Sequence, residues 1–155
     1  DLNDTTGFQD AQAPFHHVPA RERVNELTSR AVRDRNFRKN VLRAYGERRA
    51  ITGLRLINGG GRAEVEAAHI RPVAENGPDI VSNGIALSGT VHWMFDRGLI
   101  GLSEDLTVMV SRQSNDVEAV NSMINTSRKL LVPDRPANRP RPEFVAWHRI
   151  NCFKQ

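Results

Sequence analysis

The feature that most constrains the fold of this chain is a change in hydrophobic period close to Gly46. Before Gly46, apolar residues recur every three or four positions in two successive groups, which predicts two helices. The groups are Val24, Leu27 and Ala31, and then Phe37, Val41, Leu42 and Tyr45. After Gly46 the period shortens to that of strands, so the chain is predicted to have an α+β fold.

Two strand-like runs, 51–57 and 62–70, flank an Asn-Gly-Gly-Gly sequence at 58–61. A turn of this composition between apolar runs predicts a β-hairpin, which here would end on His69. The segment 71–82 contains two prolines and a glycine, and it is predicted to loop out from the hairpin.

A short helix is predicted next. After the apolar run 85–87, Ser88 can cap a helix over 89–97, and Gly98 would end it. Three further elements complete the chain, namely a second hairpin, a helix and a last short helix. Their ranges are 99–102 with 106–110, 116–125, and 143–153.

The length of 155 residues suits one compact domain with extensions. We expect a flexible lead-in over 1–18, a main domain over 19–132 with its core at 49–110, and a Pro/Arg-rich extension with a short helix over 133–155. The segment 133–142 is predicted to be extended or mobile. The chain opens on Asp1 instead of Met, which leaves two alternatives open: a whole chain, or a fragment that lacks an upstream domain.

The sequence excludes several classes of protein. No apolar run is long enough to cross a bilayer and the amino end has no export signal, so a cytoplasmic protein without membrane contact is expected. Cys152 is the single cysteine, which rules out an internal disulfide and a Cys-x-x-Cys zinc site. Any metal is therefore expected to have oxygen and nitrogen ligands.

Charge divides the chain into a basic arm and an acidic centre. Residues 19–55 hold 11 Arg and Lys against four acids, whereas residues 56–110 hold three against seven. Arg35, Lys39 and Arg43 repeat every four residues and would share one helix face. Such a face can bind phosphates or can simply be solvated.

On the predicted short helix, His92 and Asp96 stand four residues apart, so both side chains emerge on one face. They can hold one cation between them, or they can form a hydrogen-bonded pair. The spacing alone leaves both alternatives open.

Three polar residues follow one another at spacings that are informative about function. His69 closes a strand, Asn83 follows 14 residues later, and His92 nine residues after that. Their surroundings are Glu-Ala-Ala-His-Ile-Arg-Pro at 66–72, Ser-Asn-Gly-Ile-Ala-Leu-Ser at 82–88, and His-Trp-Met-Phe-Asp-Arg-Gly-Leu at 92–99. With these gaps, residues 49–102 resemble the HNH endonuclease family, particularly its restriction-type branch. The resemblance implies a small ββα-metal core, here with flanking helices on the amino side and a short carboxy-terminal helical extension.

The resemblance also implies residue roles. His69 would be the general base, and Asn83 would orient the His69 ring or its loop, although a turn asparagine before glycine is an equal reading. His92 and Asp96 would be metal ligands. Their carboxylate favours Mg²⁺ or Mn²⁺, and their imidazole would also accept Zn²⁺ or Ni²⁺.

The sequence departs from the family pattern at two positions. Ala68 stands where many relatives have a further ligand, so Glu66, on the same strand face, is a candidate replacement or else a solvated residue. Asp79 is a weaker candidate. Arg49 stands where relatives often have cysteine, which removes any zinc-knuckle expectation.

Two arginines adjoin the signature residues: Arg97 follows the helix and Arg71 follows the base. Either would hold phosphate or would be an ordinary surface residue. Trp93, between the helix ligands, is expected to pack more than to stack on a base.

The expected function is metal-dependent hydrolysis of double-stranded DNA by the nuclease domain of a restriction or defence enzyme. A separate domain or the flanking regions would choose the substrate, and a homodimer would cut both strands. The alternatives are a non-catalytic DNA-binding module of the same fold, which Ala68 favours, and a structural metal domain.

Overall fold

A computed structural model of the chain describes residues 20–155, apart from the side chain of Ala20. The predicted lead-in at 1–18 lies outside the described residues. The helices are α1 (Ala20–Ala44), α2 (Gly89–Asp96), α3 (Val117–Ser122) and α4 (Pro142–Asn151). The strands are β1 (Glu66–His69), β2 (Gly84–Leu87), β3 (Ile100–Leu102) and β4 (Val108–Val110). The prediction of an α+β fold is confirmed.

The prediction of two amino-terminal helices is wrong, because α1 is one helix of 25 residues. No glycine or proline separates the two apolar groups, so nothing in the sequence ends the helix between them. Only the second group is core. Val24 and Leu27 are 60% and 68% exposed, and Phe37 is the first buried residue along the helix.

The predicted partner of the strand before His69 is also wrong. β1 pairs antiparallel with β2, with His69 opposite Gly84, and the segment 51–57 contributes a single bridge from Ile57 to Ala63. Gly53 explains the difference. Its φ is 80° and its N–H donates to the Arg49 carbonyl, so the chain turns there and cannot run on as a strand.

The remaining predicted elements are confirmed with small shifts at their ends. Ser88 caps α2 by accepting a hydrogen bond from the Val91 N–H at 3.2 Å, and Gly98 follows α2 with a φ of 72°. β3 and β4 form the second hairpin. Asp116 caps α3, and the segment 133–142 includes a 3₁₀ turn at Pro136–Asn138.

The β1–β2 hairpin lies against α1 and α2, and this packing needs a glycine. A Cβ atom at Gly84 would lie 2.4 Å from Val41 Cγ2 and 3.1 Å from the Phe37 ring. Gly84 therefore allows α1 to approach β2 closely, and the Tyr45 hydroxyl donates to the Gly84 carbonyl at 3.0 Å. Fully buried Ile85, Ala86 and Leu87 continue the core along β2.

α4 packs behind α2 through one buried histidine. The ring of His148 stacks on Phe95, with centroids 3.8 Å apart, and its Nε2 donates to the Phe95 carbonyl at 2.9 Å. Burial lowers the pKa of His148, so the neutral ring is favoured there. Among the described residues, no helix has the length and apolar character to cross a bilayer.

Candidate active site

A cleft of about 540 Å³ lies between α1, β1 and α2, and four of the polar residues that the sequence singled out line it. His69 and Glu66 line it from β1, and His92 and Asp96 line it from α2. The hairpin and the helix thus bring together side chains that are up to 30 positions apart in the sequence.

His69 is held on two sides. Its ring stacks on Phe37, with centroids 3.9 Å apart and planes 9° apart. Its Nε2 lies 2.8 Å from the Asp79 Oδ1. Since a carboxylate only accepts hydrogen bonds, in the neutral ring Nε2 carries the proton and Nδ1 has the lone pair. The side chain is 21% exposed, so a small molecule such as water can reach it.

Asn83 is fully buried and holds the loop between β1 and β2. Its Oδ1 accepts from the Arg71 N–H at 2.9 Å, and its Nδ2 donates to the carbonyls of Arg71 and Pro78, each at 3.0 Å. Pro78 directly precedes Asp79. The amide therefore fixes the loop that carries the partner of His69, and its hydrogen bonds go to that loop and not to the ring.

His92 lies between two carboxylates. Its Nδ1 is 2.6 Å from the Glu66 Oε2 and its Nε2 is 3.2 Å from the Asp96 Oδ2. Hydrogen bonds to the two carboxylates raise the pKa of His92 to about 9. The bond to Asp96 has the largest effect, burial of the ring opposes it, and the bond to Glu66 raises the pKa further. Without a metal, the ring is an imidazolium at neutral pH.

The donor set of His92, Glu66 and Asp96 suits a divalent cation in kind, since it combines an imidazole nitrogen with carboxylate oxygens. In the part of the chain that the structure describes, however, no three His, Cys, Asp or Glu side chains converge on a common point as a ready metal cluster. Both carboxylates are instead directed at the His92 ring. A metal would have to displace the His92 proton, so its binding would compete with protonation.

The two departures from the family pattern have structural counterparts. Ala68 is fully buried and offers no donor, whereas Glu66, two residues earlier, reaches His92. Arg49 is buried and pairs with Glu64. The other Glu64 oxygen lies 3.4 Å from the Gly89 N–H, so this ion pair connects the chain before β1 to the first residue of α2.

Arg97 and Arg71 do not line the cleft. The Arg97 guanidinium lies 4.4 Å from the centroid of Trp93, and that of Arg71 lies 5.6 Å from the centroid of Trp147. Trp93 is 51% exposed and does not lie in the core. It covers Arg97 instead, because the core face of α2 is occupied by Val91, Met94 and Phe95.

The basic residues expected to share one face of α1 lie away from the cleft. Arg35, Lys39 and Arg43 are all exposed, and Lys39 and Arg43 line a separate depression together with Arg55. The residues of α1 that line the cleft are Arg30, Asp34, Phe37 and Arg38. Sequence reasoning missed these, although Arg30 stands seven residues before Phe37 and so shares its helix face.

Asp79 is the other residue whose place in the site was missed, since the sequence offered it only as a weak metal ligand. It lies ten positions beyond His69 in an irregular loop, where no periodicity relates one side chain to another. The expected role of Asn83 in holding this loop is the one sequence signal that could have indicated that the loop is fixed.

The comparisons with known proteins agree with this geometry. Residues 49–103 match the HNH endonuclease family, which confirms the resemblance seen in the sequence. Among solved structures, the modification dependent TagI restriction endonuclease is similar, with 26% identity and a TM-score of 0.55 over 76% of this chain. The match covers 37% of that protein, so this chain spans little more than a third of its length. No curated protein matches the sequence.

Proposed function

From the HNH endonuclease domain at residues 49–103, we infer that the chain hydrolyses phosphodiester bonds of double-stranded DNA with a divalent metal. The observation that carries the inference is the cleft. It is lined by His69, the proposed base, and by His92, Glu66 and Asp96, the proposed metal ligands. A general base beside such donors suits attack by water on a charged phosphate.

The proposed reaction uses His69 as the base. Its Nδ1 takes a proton from water while the water oxygen bonds to phosphorus and the bond from phosphorus to the 3′-oxygen breaks, and the 3′-oxygen takes up a proton from the solvent. The products are a 5′-phosphate and a 3′-hydroxyl. Asp79 would stabilise the imidazolium that forms, and Asn83 would keep Asp79 in place through the loop.

His92, Asp96 and Glu66 would hold the metal. A bound cation neutralises phosphate oxygens and the oxygen that leaves. Mg²⁺ or Mn²⁺ suits the two carboxylates, and Zn²⁺ or Ni²⁺ would suit the imidazole. Arg97 and Arg71, both held near an indole ring at the surface, are proposed phosphate contacts outside the cleft.

We propose a restriction or defence role, which the similarity to a modification dependent restriction endonuclease supports. In this proposal the chain supplies the cutting part, and another domain or a flanking region selects the DNA. A homodimer would let one site per chain cut both strands. A cytoplasmic location is part of the same proposal.

Plasmid cleavage tests the function directly. Supercoiled plasmid is incubated with the chain and Mg²⁺, Mn²⁺, Ni²⁺ or Zn²⁺ in turn, and nicked and linear products are measured. We expect cleavage with at least one metal and a loss of about 100-fold or more in His69→Ala. His17→Ala, which removes a histidine distant in sequence, is the control for general effects of purification and metal carry-over.

A non-catalytic DNA-binding module is the second candidate, and the buried Ala68 favours it because one expected ligand is missing. It predicts that the chain binds duplex DNA but that no metal supports nicking. Cleavage that is equal in the native chain and in His69→Ala would also contradict the catalytic proposal.

A further inference from the structure

The amino-terminal half of α1 projects beyond the core. Residues 21–36 are all exposed, and Phe37 is the first residue of the helix to be buried. At 1.5 Å per residue, this exposed part is about 24 Å long. The packed half of α1 holds this part in place, and its whole surface is open to solvent or to a partner.

One face of this projection leads directly to the cleft. Arg23, Arg30 and Phe37 recur every seven residues, which is close to two turns, so their side chains lie on one face. Phe37 stacks on His69, and Arg30 lines the cleft. The face therefore continues outward from the proposed base along α1.

This face is positively charged. Arg33 lies beside Arg23 and Arg30 on this side of the helix, and Arg30 also lines the cleft. Glu26 and Asp34 lie on the same side. The four arginines of this side, counting Arg38, exceed its two acids, and a guanidinium suits phosphate oxygens because it can donate two parallel hydrogen bonds.

We propose that this side of α1 is a phosphate track, in which Arg23, Arg30 and Arg33 hold the backbone of duplex DNA beyond the cleaved bond. The proposal rests on the proposed function, since the cleft defines where the track begins. Arg23 lies about 21 Å along the helix from Phe37. That distance corresponds to about six base pairs at 3.4 Å per pair, so the track would reach well past the cleft.

A second copy of the chain is a less suitable occupant. The exposed apolar residues Val24 and Leu27 could pair two helices, but Arg23 and Arg30 border them. In a parallel pair of two such helices, Arg23 and Arg30 would lie near their counterparts in the other copy, which opposes association. A polyanion has the complementary charge.

The experiment compares two triple variants of α1 with the same change in charge. The first replaces Arg23, Arg30 and Arg33 with Gln on the side that meets the cleft. The second replaces Arg35, Lys39 and Arg43 with Gln on the far side, where the sequence had placed the phosphate contacts. Binding to a fluorescent duplex is measured by anisotropy in EDTA at rising salt, and circular dichroism checks that helix content is retained.

The expected result is a smaller salt dependence in the first variant alone. The slope of log K against log salt should fall by about two to three, or about one for each lost phosphate contact. An unchanged slope in the first variant, an equal fall in both variants, or a native chain that does not bind duplex would each overturn the proposal. A dimer in sedimentation that Leu27→Ser dissociates, together with an unchanged salt slope in the first triple variant, would also overturn it.

Because binding is measured without metal, the track and the nuclease function can fail separately. If the native chain cleaves DNA and the first triple variant binds duplex as the native chain does, the nuclease proposal holds and the phosphate track is wrong. Conversely, if the salt slope falls in that variant but the native chain cleaves DNA with none of the metals, the phosphate track holds and the nuclease proposal is wrong.

Discussion

Asp79 and His69 share the contact on which the proposed chemistry depends most. The carboxylate fixes which ring nitrogen carries the proton, and Phe37 fixes the plane of the ring. The positions of His69 and His92 could be predicted, because their order and spacing in the sequence resemble a known family. The contact with Asp79 could not, because it depends on a loop conformation that one buried amide, Asn83, determines.

Asp79→Ala should lower kcat by about tenfold or more and leave KM nearly unchanged, because the ring loses the group that orients it and that stabilises its protonated form. Asp79→Asn should lose less, since its amide oxygen can still accept from Nε2. Steady-state cleavage of a labelled duplex measures both constants. Nitrogen NMR of labelled histidine should also show that neutral His69 no longer favours the Nε2–H tautomer in Asp79→Ala.

Glu75→Gln is the matched control, because it removes a carboxylate from the same loop without touching His69. If Glu75→Gln and Asp79→Ala reduce kcat alike, the loop as a whole matters and Asp79 has no special role. An unchanged tautomer in Asp79→Ala would lead to the same conclusion.

At the scale of elements, the ends of the short helix could be predicted from the sequence, whereas the pairing of the strands could not. The short helix α2 was predictable, because Ser88 and Gly98 are local signals for its ends. Strand pairing was not. The Asn-Gly-Gly-Gly turn does form, with Asn58 Oδ1 accepting from the Gly60 and Arg62 N–H groups. It closes only one bridge, since Leu54 and Leu56 remain about half exposed and have no core to face.

The close approach of α1 to this hairpin leads to a prediction about stability. Gly84→Ala should lower the free energy of unfolding by about 1–3 kcal/mol, because the added methyl group overlaps Val41 and the Phe37 ring. Urea denaturation followed by circular dichroism measures the change. The backbone at Gly84 is extended, so conformational strain does not contribute.

The control for this substitution is Gly59→Ala, where an added Cβ atom would meet nothing within 4 Å. Its unfolding free energy should change by less than about 0.5 kcal/mol. A Gly84→Ala variant as stable as Gly59→Ala would mean that α1 moves away from β2 at little cost.

At the scale of the whole molecule, α4 holds the carboxy-terminal part of the described chain against α2 through the contact of His148 with Phe95. Its buried His148 has a lowered pKa, so the unfolded chain takes up a proton first as the pH falls below about 6.5. The contribution of His148 to stability is therefore present above that pH and is lost as the pH falls toward the folded-state value.

His148→Gln should remove this part of the pH dependence. Between about pH 7.5 and about pH 5.5, the native chain should lose more unfolding free energy than the variant, by at most about 1.4 kcal/mol per pH unit. Other groups, including His92 with its opposite shift, are common to both proteins and cancel in the comparison. Urea denaturation at several pH values measures the difference, and parallel curves for the two proteins would contradict the assignment.

The stacking of His148 on Phe95 also bears on how the chain matures during translation. The residues that form the cleft, from α1 to α2, leave the ribosome before α4 does. Until residues 142–151 have emerged, the Phe95 carbonyl next to Asp96 has no imidazole to bind and one side of α2 is uncovered. A nascent chain therefore has an incompletely packed α2 until synthesis has passed α4.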